Sequence, residues 1–210
     1  PCLACNYCLG CIQRNEPLAC AVNPWLGHEA EPLPPLPSTA KVLVLGGGPA
    51  GLTAAAVAAR RGASVRLVEK NASLGGTLPL ASLPPGKRPL GELADHLAGE
   101  ARRAGVAIET GRELTPAEIA AGGYDQLVVA TGAVPIELGL PGLELPGVVG
   151  PGEALRQDSP APGAWLVVGG GLVGLEVAEH LAELGARVAV IEMAPEMGRG
   201  LVAMRAGLIM

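Results

Sequence analysis

Apolar residues in this chain fall into short runs separated by longer amphipathic stretches, and the alternation predicts strands and helices in turn. A strand–helix–strand unit is predicted over about 41–70, its second strand running from Ser64 to Val68 and ending at Glu69. The same pattern returns over about 164–193, with a second strand from Arg187 to Ile191 that ends at Glu192. Between them, residues 90–104 read as a helix with Leu90, Leu93, Leu97 and Ala101 on one face. Val106 to Glu109 reads as a short strand. Thr115 and Pro116 fit the N-cap and first position of a further helix. Gln126 to Ala130 reads as a buried strand leading into Ala130-Thr131-Gly132. Residues 30–39 are proline-rich and predict an extended linker, and residues 158–163 predict a second one.

Each repeated unit carries a G-x-G-x-x-G turn between its first strand and its helix. The first is Gly46, Gly48 and Gly51; the second is Gly169, Gly171 and Gly174. Glycine is required because it has no Cβ: the first permits the tight turn, the second lets backbone approach a pyrophosphate, the third lets helix pack on sheet. Pro49 and Ala50, and Leu172 and Val173, open the helices whose N–H groups and dipole face the phosphates. An acid follows each last glycine by 18 residues, Glu69 and Glu192, placed to accept from ribose hydroxyls. A glycine-rich turn without ligand is the plain alternative for either copy. Two copies imply two nucleotides, with electrons passed from one to the other. The predicted class is α/β, with two Rossmann-like units after an irregular cysteine-rich segment.

Composition narrows the picture. The chain has 210 residues, 49% of them hydrophobic, yet only 2% aromatic and no Phe, so the core must be built from Ala, Leu and Val. A net charge of −5 gives no reason to expect nucleic acid. No apolar run is long enough to span a membrane and no signal peptide is visible, so a cytoplasmic setting is expected. The chain opens on Pro1 and stops at Met210 soon after a strand, and is expected to be a piece of something longer.

All five cysteines lie in the first twenty residues: Cys2, Cys5, Cys8, Cys11 and Cys20. A disulfide framework would be spread through the fold and even in number. Zinc and an iron–sulfur cluster compete. Zinc favours two separated C-x2-C pairs, whereas one closely spaced run followed by a distant cysteine favours a cluster. Cys2, Cys5, Cys8 and Cys20 are the preferred ligands, and a competing set has Cys11 in place of Cys8.

This order resembles the iron–sulfur flavoenzymes of the NADH:flavin oxidoreductase family that include 2,4-dienoyl-CoA reductase, trimethylamine dehydrogenase and the enoate reductases. The spacing of Cys2, Cys5, Cys8 and Cys20 is similar to that family's cluster motif, and Asn6, Val22-Asn23-Pro24 and His28-Glu29 match its surroundings. The resemblance implies a cluster segment at 1–29, a linker at 30–40, the first part of an FAD-binding domain of disulfide-reductase type at 41–157, and a truncated NAD(P)-binding domain at 158–210. It implies FAD contacts at Gly46 to Gly51, Glu69, Gly76, Thr77, Lys87, Leu114 and Gly132. It implies pyridine-nucleotide contacts at Gly169 to Gly174, Glu176 and Glu192. A preceding β/α barrel would hold FMN and a small-molecule substrate.

The resemblance implies an electron relay: NAD(P)H to FAD to a 4Fe–4S cluster to FMN, with reduction of an activated C=C bond. Glu192 would repel a 2′-phosphate and so favours NADH. An amine-dehydrogenase-like member would run the flow the other way. A glutamate-synthase small-subunit-like module, a non-catalytic nucleotide module and a zinc-stabilised binding domain are the other readings. No Ser/His/Asp triad is present and no catalytic side chain is assigned. His96 and His180 read as solvated and His28 as near the cluster. Lys70, Arg60 and Arg61 read as end-of-element residues more than phosphate ligands. Glu176, Glu179 and Glu183 read as a solvated helix face, Trp25 and Trp165 as core or linker anchors.

Overall fold

The computed structural model describes residues 2–136, 139–159 and 163–198. Residues 160–162 of the expected second linker, and the end of the second nucleotide domain from 199 on, lie outside the described residues. In chain order the elements are α1 (Tyr7–Gln13), β1 (Lys41–Leu45), α2 (Pro49–Arg60), β2 (Ser64–Glu69), α3 (Leu78–Ala81) and α4 (Pro89–Arg103). They continue with β3 (Ala107–Thr110), α5 (Pro116–Ala121), β4 (Gln126–Val129), α6 (Pro151–Leu155), β5 (Ala164–Val168), α7 (Leu172–Glu183) and β6 (Arg187–Ile191). Two units form. One comprises the residues up to Pro79 with Pro89–Pro135; the other comprises Leu80–Arg88 with the described residues from Ile136 onward.

The first unit is built on a four-stranded parallel sheet of order β3-β2-β1-β4. Val42 lies between Val65 and Gln126, and Arg66 pairs with Ala107. Val42, Leu43 and Val44 of β1 are all buried, the mark of a parallel strand covered on both faces. In place of aromatics, Leu52, Ala55, Ala56, Ala98 and Ala101 pack on Val42, Val44, Val65 and Leu67. Small alanines let α2 and α4 approach closely. On α4 the fully buried residues are Leu93, Ala94, Ala98 and Ala101. Leu93 and Ala101 of the expected stripe are thus buried and Leu97 packs at its edge, while Ala94 and Ala98 extend the buried face where α4 meets α2. Leu52→Ala in this core would cost about 2–5 kcal/mol.

At the start of α5 the expected cap is present and extended. Thr115 Oγ1 accepts the Glu118 N–H and the Glu118 carboxylate reaches back to the Thr115 N–H, a reciprocal capping box. The proline-rich segment is held on the first unit: Leu36 N–H donates to the Arg61 carbonyl, and Arg61 Nε donates to the Pro34 carbonyl at 2.7 Å.

The second unit has a two-stranded parallel sheet of β5 and β6, with Ala164 paired to Arg187 and Val168 to Ile191. Trp165, Val167 and Val188 pack toward Ala154, Leu155, Val177 and Leu181. The alternate positions Leu166, Val168 and Ile191 stay exposed, as period-2 alternation dictates for a sheet covered on one face. No helix among the described residues is long and apolar enough to cross a membrane.

Candidate functional site: two clamped glycine turns

Gly46 leaves β1 with φ +104, and a Cβ there would meet the Ala130 carbonyl oxygen at 2.2 Å. At Gly51 a Cβ would meet the Gly46 oxygen at 1.9 Å, so helix and turn touch through backbone alone. Gly48 is the N-cap of α2 in extended conformation, with Pro49 at the first helical position. Among the described residues the only atom within 4 Å of a Cβ on Gly48 is Gly76 Cα at 3.8 Å, so this face of the turn is open. The second copy repeats the design. Gly169 has φ +107, a Cβ at Gly174 would meet the Gly169 oxygen at 1.8 Å, and Gly171 caps α7 with open space around it.

Both acids are built into the turns themselves. Glu69, only 5% exposed, is the buried charged residue of the described core. Its Oε2 accepts the Gly47 N–H at 2.6 Å, and its Oε1 accepts both the backbone N–H and the Nδ2 of Asn71, at 2.8 and 2.7 Å. Glu192 repeats this, taking the Gly170 N–H and the Ala194 N–H, each at 2.7 Å. A third contact closes each turn from the other side. Gly75 N–H donates to the Gly47 carbonyl at 2.8 Å, and Gly198 N–H donates to the Gly170 carbonyl at 2.7 Å. Leu74 and Met197, the residues before those donors, fill the space a Cβ would need on Gly47 and Gly170. The middle glycines are thus clamped through N–H, carbonyl and Cα. Sequence reading took Gly47 and Gly170 only as members of the glycine runs and gave Asn71 and Met197 no role, since both lie outside the motif; the five-residue interval from acid to Leu74 or Met197 is the signal that marks the clamp.

Around the first turn, Gly76 (φ +59) lies against Gly48, and Thr77 is exposed beside it. Ala130 N–H donates to the Leu45 carbonyl, which sets Thr131-Gly132 beside the Gly46 turn; Gly132 has φ +75. Leu114 is half-buried in the loop between β3 and α5, and that loop is tied to the acid's strand by Arg112 N–H to the Glu69 carbonyl and Gly111 N–H to the Asn71 carbonyl.

In the second unit, Lys87 Nζ donates to Glu176 Oε1 as an ion pair, with the two side chains 23% and 29% exposed. Glu179 and Glu183 are exposed, so Glu176 alone departs from the solvated face expected for all three. His96 is exposed as expected. His180 is not simply solvated: its Nε2 is buried with no hydrogen-bond partner among the described residues, because the ring follows the buried Val177–Leu181 side of α7. Arg60 pairs with Glu100, at the helix end away from the glycine turn. Trp165 joins the second core, whereas Trp25 is exposed.

The thiols of Cys2, Cys5, Cys8 and Cys20 are exposed or half-exposed and that of Cys11 is buried; all five are free. Cys2 Sγ accepts the Ala4 N–H at 3.3 Å and Cys20 Sγ accepts the Val22 N–H at 3.4 Å. Backbone donation from Asn23, then Val22, pulls the Cys20 thiol below its ordinary range. Ala4 and Asn6 take left-handed backbone, φ 51 and 57, which coils the segment tightly between its cysteines. No three His, Cys, Asp or Glu side chains among the described residues are gathered as ligands of one metal ion. The segment therefore has the thiols and N–H···S donors that suit an iron–sulfur cluster, without convergence on a single point.

The chain matches the pyridine nucleotide-disulphide oxidoreductase family over residues 40–207 and belongs to it. It is 38% identical over 200 residues to bilirubin reductase of Mediterraneibacter gnavus, covering 94% of this chain and 31% of that protein. It is 39% identical over 206 residues to NADH oxidase of Thermoanaerobacter brockii, covering 91% and 31%. It superposes on a solved 2-naphthoyl-CoA reductase with a TM-score of 0.90 at 28% identity, covering 99% of this chain and 32% of that one. The chain spans about a third of the length of these relatives. Membership makes it part of a flavoprotein oxidoreductase fold that binds FAD and a pyridine nucleotide.

Proposed function

We propose that this chain is the electron-relay portion of an NAD(P)H-dependent iron–sulfur flavoprotein oxidoreductase. The relay runs from NAD(P)H through FAD and a 4Fe–4S cluster to FMN on a barrel elsewhere in the protein, where an activated C=C bond is reduced; FAD supplies the change from two-electron to one-electron transfer. The observation that carries the reading is the duplicated clamp, Glu69–Gly47–Gly75 and Glu192–Gly170–Gly198, which gives one chain two turns of the kind that holds a nucleotide.

The chain's own residues bind and orient. Gly48 and Gly171 leave backbone open to a pyrophosphate at the N-termini of α2 and α7. Glu69 and Glu192, each fixed by two backbone donors, face ribose hydroxyls. A carboxylate at Glu192 repels a 2′-phosphate, which supports NADH over NADPH. On the first unit Gly76, Thr77, Leu114 and Gly132 serve FAD; on the second, Lys87 is a further FAD contact and Glu176, whose carboxylate orients it, serves the nicotinamide. Cys2, Cys5, Cys8 and Cys20 hold the cluster. Support for Cys8 over Cys11 is that Cys11 is buried and accepts from Arg14, whereas Cys8 is accessible. The named relatives reduce bilirubin and carry a naphthoyl thioester, which supports an unsaturated organic acceptor as the small-molecule substrate.

Anaerobic purification with an absorbance spectrum and metal assay tests this. The relay predicts flavin bands with iron and sulfide each at about four per chain. Zinc without iron contradicts it.

A further inference from the structure

The two clamps differ in one chemically decisive place. Leu74 in the first and Met197 in the second hold the same position, five residues after the acid and immediately before the glycine that donates back to the turn. A Cβ on Gly47 would meet Leu74 Cδ2 at 2.5 Å, and a Cβ on Gly170 would meet Met197 Cγ at 3.1 Å. Leu74 also packs against the first core and is chemically inert. Met197 is 54% exposed and carries an oxidisable thioether.

We propose that Met197 is an oxidisable latch on the second nucleotide site, so that its conversion to the sulfoxide weakens pyridine-nucleotide binding and leaves flavin binding unchanged. The proposal rests on the second turn being the pyridine-nucleotide site. The oxidant is a hydroperoxide. The sulfur attacks one peroxide oxygen and an S–O bond forms as the O–O bond breaks. The sulfur gives up two electrons, and the other oxygen leaves with a proton as water or an alcohol. The product is polar, bulkier and chiral where the thioether was apolar and pliant. It no longer packs on Gly170, and the adjoining Gly198 N–H to Gly170 carbonyl bond, 2.7 Å in the closed turn, is pulled away with it. The Gly170 peptide then loses one of the two supports that align it with the N-terminus of α7, while Glu192 retains the other. Met193, fully exposed and with no contact to the turn among those described, is the internal control.

The test measures the NADH dissociation constant of the purified, flavin-loaded full-length protein before and after hydrogen peroxide, with oxidised methionines mapped by peptide mass spectrometry. The wild type should weaken about tenfold, recover with methionine sulfoxide reductase, and keep its flavin. M197L should hold its affinity through the same treatment with all cysteines present, and M193L should behave as wild type. M197Q, polar without oxidant, should bind NADH weakly from the outset. Unchanged affinity with Met197 present as the sulfoxide overturns the proposal, as does an equal loss in M197L. Untreated protein that binds no NADH instead removes the nucleotide assignment, and the proposal with it.

Discussion

Glu69 and Gly47 stand 22 positions apart, and the carboxylate of the first accepts the backbone N–H of the second at 2.6 Å. The bond ties the end of β2 to the turn after β1, so the acid shapes the nucleotide turn before any ribose reaches it. Glu69→Gln puts an amide group against N–H donors from Gly47 or Asn71. Leaving such a buried donor unsatisfied costs about 1–3 kcal/mol. Purified E69Q should be less stable in urea and carry less FAD than wild type, while E192Q keeps its flavin and binds NADH more weakly.

Lys87 and Glu176 are 89 positions apart and pair within the second unit. Both are under a third exposed, which places the pair above the weakest surface bridges. A double-mutant cycle with K87M and E176Q should show a coupling of about 1 kcal/mol in unfolding free energy. Additive effects would show that the pair has no energetic content.

Glu118 sits in the capping box of α5 with its carboxyl lowered to about 2, first by the Thr115 backbone N–H, then by the Thr115 hydroxyl and Arg112. A group with a lowered folded pKa stabilises the fold above its unfolded value and loses that contribution as pH falls through the folded one. The urea midpoints of wild type and E118Q should therefore differ at pH 7 and converge between pH 4.5 and about 2. A gap that stays constant over this window would remove the cap from the account.

Leu127 and Val129 on β4, and Leu166, Val168 and Ile191 on β5 and β6, are exposed apolar positions on strands. The 210-residue polypeptide should bind a hydrophobic dye and aggregate at concentrations where it is otherwise folded. L166T with V168T should reduce dye binding without altering far-UV circular dichroism.

The elements and both glycine turns were legible because their cause is local. A turn that cannot hold a Cβ demands Gly46, Gly51, Gly169 and Gly174 at fixed spacing, and Thr115-Pro116 announces its own helix start. On α4, Leu93 and Ala101 were legible from periodicity, whereas Ala94 and Ala98 were not, since close packing on α2 rather than side-chain size selects them. Gly47 and Gly170 were not singled out because the motif leaves their positions variable; what fixes them is an acid 22 residues away. The Lys87–Glu176 pair and the enclosed Nε2 of His180 depend on tertiary packing that no local pattern encodes.

The central claim is that the two turns hold different nucleotides. A Cβ at Gly51 or Gly174 would strike the carbonyl oxygen of its own turn at 1.9 or 1.8 Å, so G51A and G174A each disable one site. The direct measurement is flavin absorbance of both variants during anaerobic addition of NADH. The account predicts that G51A is purified without FAD, and that G174A keeps its flavin spectrum but is not bleached by NADH. A G174A protein bleached at the wild-type rate, or stripped of flavin like G51A, would contradict it.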